Sequence, residues 1–210
     1  GIDYMLVNAL IKEVYKVGGI PFVEIYDNRV SRELLLGVTE EQAKLKAKYQ
    51  ALRMSEMDAY IGIRGGENCN ENADVPDKNL QIESQFYSLP VHHEIRVKKT
   101  KWVVMRYPNE GMASSAGMSS DAFEDFYFKV CNLDYSKMDR AMDSLKKRLD
   151  KADKVRIVAK DTDLSFSIKG IGSVKCSGHC NIPDGEIYTA PVKDSVNGVI
   201  TYNTPSIENG

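Results

Sequence analysis

Apolar residues recur at three- and four-residue intervals in several parts of the chain, which is the spacing of one face of an α-helix. Residues 2–17 show this pattern, and the glycine pair that begins at Gly18 is typical of a helix end. The sequence Thr-Glu-Glu-Gln at 39–42 indicates a capping box for a second helix that runs to about Met57. Further helices are predicted over residues 77–95, 121–131 and 135–149, the second of these with Ser120 or Asp121 as its N-terminal cap.

Short and mostly apolar segments alternate with these helices, namely 20–26, 59–63, 102–107 and 154–159. Parallel strands have this composition because helices cover both faces of their sheet. From Thr162 onward, alternating residues and frequent turn residues are typical of antiparallel strands. The predicted fold class is therefore α/β: a mostly parallel sheet flanked by helices, followed by a smaller antiparallel β segment. We expect an α/β domain at 1–161 and a β-rich segment at 162–210.

Composition and charge narrow the classes of function. The 210 residues are 42% hydrophobic and 28% charged, as expected of a globular chain. Lys and Arg number 28 and Asp and Glu number 30, so the chain lacks the positive surplus that phosphate backbones attract. No stretch approaches the ~20 apolar residues of a membrane span, and four cysteines are too few for a disulfide scaffold. We expect a cytoplasmic protein without a nucleic-acid or membrane partner.

Two groups of metal-ligating residue types occur close together in the sequence. Cys176, His179 and Cys180 lie within five residues. A structural zinc site needs a fourth ligand, usually from a second pair, so structural thiols are the favoured interpretation. The neighbouring side chains of His92 and His93 point apart on a helix or strand, which favours a solvated helix end over a shared metal.

The turn at Gly65-Gly66 follows a predicted strand, as phosphate-binding loops do. It lacks the G-x-G-x-x-G pattern, and no P-loop lysine follows it, so a surface turn is favoured. A nucleotide- or phosphate-ligand-binding α/β module without catalytic activity remains the alternative function, since doubly wound sheets bind such ligands at the carboxyl ends of their strands.

The segment 181–191, NIPDGEIYTAP, places a single carboxylate, Glu186, directly after a Pro-Asp-Gly turn. The turn restricts the backbone where Glu186 begins the next strand. Carboxylate oxygen suits hard or borderline divalent cations. The spacing alone nevertheless favours a surface-exposed carboxylate over a metal ligand.

Four ordered segments of the chain resemble the thermophilic-type metallo-aminopeptidases, the family of aminopeptidases T and S. The segments are 18–23 (GGIPFV), 100–108 (TKWVVMRYP) with Met112-Ala113 after it, 161–166 (DTDLSF) and 181–198. The resemblance covers essentially the whole chain. It implies a two-domain, homodimeric enzyme that releases N-terminal amino acids from peptides with two divalent metal ions, zinc, cobalt or manganese. In that family the glutamate of the Pro-Asp-Gly-Glu block is a metal ligand, and the matching residue here is Glu186.

The same resemblance places the other ligands of the family, a glutamate, two histidines, a tyrosine and an aspartate, in a C-terminal half beyond this chain. None of the three histidines, His92, His93 and His179, occupies a matching position. We therefore expect the N-terminal part of a dinuclear aminopeptidase, with its own C-terminal domain as a partner. By itself this part is expected to bind no metal and to be inactive, and no catalytic residue is assigned to it.

Overall fold

The computed structural model describes residues 4–203, which form two compact units. The described part of the first unit comprises residues 4–132 and 180–182, and that of the second comprises 133–179 and 183–203. A mixed α/β fold with a parallel sheet, flanking helices and separate antiparallel strands confirms the predicted fold class. The predicted domain division at residue 161 stays a prediction.

The secondary-structure elements are numbered along the chain. The helices are α1 (Tyr4–Lys16), α2 (Asn28–Leu36), α3 (Glu40–Ser55), α4 (Asp77–Glu83), α5 (Glu110–Ser115), α6 (Ser120–Cys131) and α7 (Tyr135–Asp150), with a π-helix (Ser84–Val97) directly after α4. The strands are β1 (Ala59–Arg64), β2 (Lys101–Arg106), β3 (Lys154–Ala159), β4 (Thr162–Ser167), β5 (Val174–Cys176), β6 (Asn181–Ile182), β7 (Glu186–Tyr188) and β8 (Asn197–Val199). Among these helices, none is both long enough and apolar enough to cross a bilayer.

The parallel sheet of the first unit has the strand order β1–β2–β6. β1 and β2 pair along their whole length, from Ala59 opposite Lys101 to Arg64 opposite Arg106. β6 adds two residues on the other side of β2, where Asn181 lies opposite Val104. The predicted strands 59–63 and 102–107 are thus confirmed, with boundaries shifted by one residue.

Capping residues and glycine in the sequence predicted several helix ends to within one residue. The Thr39 side chain accepts a hydrogen bond of 3.2 Å from the Gln42 N–H, as the capping box predicts. α1 ends before Gly18, whose φ of +76° favours glycine. The predicted cap of α6 is wrong by one residue: Ser119 caps it, because Ser119 is extended and Ser120 is already helical.

Two strand predictions are wrong: one predicted strand does not form, and the other pairs in the opposite direction. Segment 20–26 forms no strand, and Ile20 is 82% exposed. Apolar composition cannot make a strand without a neighbour that accepts its backbone hydrogen bonds. β3, expected to join the parallel series, pairs antiparallel with β4, since the chain reverses tightly at Asp161, which has a φ of +54°.

The helix predicted over 77–95 changes its character midway. α4 is an ordinary α-helix, but the π-helix that follows contains Pro90. Proline has no N–H to donate, and its ring collides with the carbonyl four residues earlier in an α-helix. A wider i→i+5 turn avoids that collision.

The apolar core of the first unit lies mainly between α3 and the π-helix. Ala47, Met54 and Val91 are buried together, and Met54 is 1% exposed. The rings of Tyr60 and Tyr87 pack against this cluster. A second buried cluster comprises Ala113, Phe123 and Tyr127.

We expect Met54→Ala to lower the free energy of unfolding by about 2–5 kcal/mol, because it removes a fully buried side chain and leaves a cavity. Leu52→Ala on the same helix is the matched control, since Leu52 is 65% exposed and its truncation should change stability by less than ~0.5 kcal/mol. Urea denaturation followed by circular dichroism measures both values. Equal losses in the two variants would contradict this location of the core.

Candidate metal-ligand site on the β5–β7 strand pair

Glu186 is the first residue of β7, which pairs antiparallel with β5. In this register Glu186 lies opposite Cys176, and Ile187 lies opposite Lys175. Opposed residues of an antiparallel pair share a face, and successive residues alternate between faces. Glu186 and Cys176 therefore project from one face of the strand pair, and Lys175 and Ile187 project from the other.

Helix α7 contacts the face that carries Lys175. The Lys175 ammonium lies 2.9 Å from Asp139 Oδ1 and 2.7 Å from Asp143 Oδ1, and its side chain is only 18% exposed. Lys175 Nζ also donates to the Asp139 carbonyl oxygen at 3.0 Å. These hydrogen bonds, with Asp143 first, raise the pKa of Lys175, and its ammonium holds the pKa of Asp139 below the usual range.

Further polar contacts extend this attachment along α7. Ser177, which is 3% exposed, donates to Asp139 Oδ1 at 2.8 Å. Lys146 Nζ donates to the Ser173 carbonyl oxygen at 2.8 Å, and the Ser173 N–H donates to Asp150 Oδ1 at 2.9 Å. These contacts were not predicted from the sequence. The three- to four-residue spacing of Asp139, Asp143, Lys146 and Asp150 places them on one face of α7, but it does not identify their partners near β5.

The Pro-Asp-Gly turn before Glu186 is tied to the residues that follow β5. Asp184 Oδ2 accepts a hydrogen bond of 2.7 Å from the Gly178 N–H. Gly178 has a φ of +83°, and a Cβ there would lie 2.6 Å from Cγ of the Tyr135 ring, so only glycine fits. The chain bends at Pro183, and the Asp184 side chain fixes this segment to Gly178.

Glu186 itself is solvent-exposed. Its carboxylate makes no hydrogen bond or ion pair with any residue in the described range 4–203. It is thus chemically suited to act as one oxygen ligand of a divalent cation. Within the same range, no three His, Cys, Asp or Glu side chains are grouped so that they could hold a metal ion. The described residues therefore offer one fitting ligand and do not fit a complete metal centre.

The cysteines near this strand pair do not provide a second metal site in the described structure. Cys176 and Cys180 are half-buried thiols outside any disulfide. The Cys180 carbonyl oxygen accepts a hydrogen bond of 2.8 Å from the Val104 N–H in the first unit. Residues 4–203 contain no cluster of three ligands that could hold a metal ion, and the structural interpretation of these thiols stays a prediction.

His92 is not the solvated residue that sequence analysis favoured. Its ring packs edge-on against Tyr87 and Tyr60, with centroid distances of 5.4 Å and 6.4 Å. Its Nδ1 is buried and has no hydrogen-bond partner among the described residues. Burial lowers the pKa of His92 to about 4, and the positive charge of Arg96 contributes to the shift.

The Gly65-Gly66 turn is packed against side chains. Asn109 Nδ2 donates to the Gly66 carbonyl oxygen at 3.2 Å, and Asn109 also caps α5. A Cβ on Gly66 would lie 2.0 Å from Asn28 Nδ2. The turn therefore packs against Asn109 and Asn28, and nothing in the described residues supports the nucleotide-binding alternative.

The fold and the site define a mixed α/β protein that presents one exposed glutamate on an antiparallel strand pair. The sequence model of the family described as thermophilic metalloprotease (M29) matches residues 3–210. The chain therefore belongs to this metalloprotease family, and the predicted family is confirmed. No curated protein sequence matches the chain.

The burial of His92 generates a pH prediction. The unfolded chain protonates this histidine near pH 6.5, whereas the folded chain does so only near pH 4. As pH falls from about 6.5 to about 4, the unfolded state binds a proton on His92 but the native state does not. The free energy of unfolding therefore decreases across that pH range. We expect His92→Gln to reduce this loss, as measured by urea denaturation at a series of pH values. His93→Gln retains His92 and should retain the loss; an unchanged pH dependence in His92→Gln would contradict the assignment.

Proposed function

We propose that this chain is the N-terminal part of a dinuclear metal-dependent aminopeptidase that releases N-terminal amino acids from peptides. In this proposal Glu186 supplies one metal ligand. Membership of a metalloprotease family supports a hydrolytic function that uses a divalent metal. The single structural observation that carries the proposal is the exposed carboxylate of Glu186, without a partner among the described residues, at the start of β7.

The contribution of this chain to the reaction is the placement of that carboxylate. α7 contacts the opposite face of the strand pair through Lys175, and the Glu186 side chain is exposed. When bound, a pair of divalent ions supplies polarisation of the scissile carbonyl and a more acidic water. Zinc, cobalt and manganese all accept carboxylate oxygen, so Glu186 does not discriminate among them.

The remaining parts of the proposal concern partners. Because the described residues form no ligand cluster, the other ligands and the general base are proposed to come from the protein's own C-terminal domain. The complete enzyme is proposed to be a cytoplasmic homodimer that acts on peptides, without nucleic-acid or membrane partners. The even charge balance of 28 basic and 30 acidic residues supports the exclusion of nucleic acid.

In the complete enzyme, Glu186→Ala should lower metal affinity at least ~10-fold, since loss of even an outer-shell partner costs about that much. The turnover number should fall together with metal occupancy. Metal content by elemental analysis and turnover of an aminoacyl-anilide measure the two effects. Glu124→Ala on α6 is the matched control, since Glu124 is also an exposed glutamate. A Glu186→Ala enzyme with two bound metals and normal turnover would refute the ligand assignment.

The 210-residue chain alone should not hydrolyse an aminoacyl-anilide when cobalt or zinc is added. Two-metal hydrolysis needs both ions about 3.5–4 Å apart, and one carboxylate cannot hold such a pair. The measurement is release of the aniline above a metal-only blank. Turnover that co-purifies with the chain and disappears in Glu186→Ala would show that the chain is sufficient by itself, contrary to the proposal.

A further inference from the structure

We propose that Asp184 and Lys175 are positioning residues for Glu186. Neither side chain is assigned to the metal; each fixes one end of the strand segment that presents the Glu186 carboxylate. This inference rests on the proposed function, because it concerns the placement of the same ligand.

The strand pair needs such support because it is small. β5 and β7 have three residues each and form a two-stranded sheet. Within the described residues, no third strand extends that sheet. A two-stranded sheet is marginally stable at best in water. The direction of the Glu186 side chain therefore depends on contacts outside the ladder.

Lys175 provides the first of these contacts. It lies opposite Ile187, the residue after Glu186, and its ammonium bonds to carboxylates one helical turn apart on α7. The two carboxylates, on Asp139 and Asp143, hold the ammonium from both sides. Because charge-assisted hydrogen bonds are short and strong, these contacts limit the movement of β5 relative to α7. β7 then follows β5 through the backbone ladder.

Asp184 provides the second contact, on the other side of Glu186. The ladder pairs Tyr188 with Val174, Ile187 with Lys175 and Glu186 with Cys176. If this register continued, Asp184 would lie opposite Gly178. At that place the Asp184 carboxylate accepts the Gly178 N–H at 2.7 Å. A side-chain hydrogen bond thus joins the two chain segments two positions beyond the last pair of the ladder, Glu186 with Cys176. Glu186 consequently lies between two fixed points, the Asp184 tie and the Lys175–Ile187 pair.

The experiment compares Asp184→Ala, Asp184→Asn and Lys175→Met with a matched control, Asp163→Ala. Asp163 is an exposed aspartate of the same unit, and its carboxylate pairs with Arg156. The first readout is hydrogen exchange at the amides of residues 186–188 in the 210-residue chain. The second is the zinc dissociation constant of the complete enzyme, measured by competition with a chromogenic chelator.

Asp184→Ala and Lys175→Met should speed amide exchange in β7 and weaken zinc binding about 10–100-fold, the usual effect of losing a group that orients a ligand. Asp184→Asn should recover part of both losses, because the amide oxygen still accepts the Gly178 N–H. Asp163→Ala should match the wild type in both readouts. If Asp184→Ala does not fold, Lys175→Met decides by the same two measurements.

Two results would overturn the inference, and they are distinguishable. Wild-type exchange and wild-type zinc affinity in Asp184→Ala and Lys175→Met, together with weakened affinity in Glu186→Ala, would refute the positioning role and leave the proposed function intact. Unchanged zinc affinity in Glu186→Ala would refute the ligand assignment, and the positioning role would fall with it.

Discussion

The position of Glu186 depends on the ion pairs that Lys175 makes with α7. The Lys175 ammonium lies within 3 Å of Asp139 Oδ1 and of Asp143 Oδ1. Two strands of three residues each have too few backbone bonds to hold their own orientation. Three short contacts from Lys175 to a sixteen-residue helix restrain that orientation instead. The position of the Glu186 carboxylate is therefore restrained by the contacts of Lys175 with Asp139 and Asp143 on the opposite face of the strand pair.

The core of the first unit and the attachment of β5 to α7 in the second unit depend on different kinds of contact. Apolar burial around Met54 and Val91 supports the first unit, and apolar burial contributes stability without direction. Ion pairs and charge-assisted hydrogen bonds attach β5 to α7 in the second unit. Buried ion pairs are weak evidence for a gain in stability. We therefore assign these pairs the role of fixing the position of β5 against α7. Placement is what a metal ligand needs, since ligating groups must be held within about 0.5 Å of the productive geometry.

Much of the fold could be predicted from local signals. The Thr39 capping box and the Gly18 helix end each depend on residues within four positions of one another, so they can be recognised in the sequence. Strand pairing depends on distant partners. The apolar segment 20–26 therefore predicted a strand that does not form, and β3 was assigned to the wrong kind of sheet.

The candidate site divides in the same way. The family was recognisable from four short segments of the sequence, and one of them, 181–198, contains Glu186 directly after Pro-Asp-Gly. The face of β7 that carries this carboxylate, and the residues that support it, are visible only in the folded strand pair. Lys175 contacts Asp139, a residue 36 positions away, and no local rule relates a strand lysine to a particular turn of a preceding helix. Such contacts form only when the chain has folded and side chains from separate elements meet.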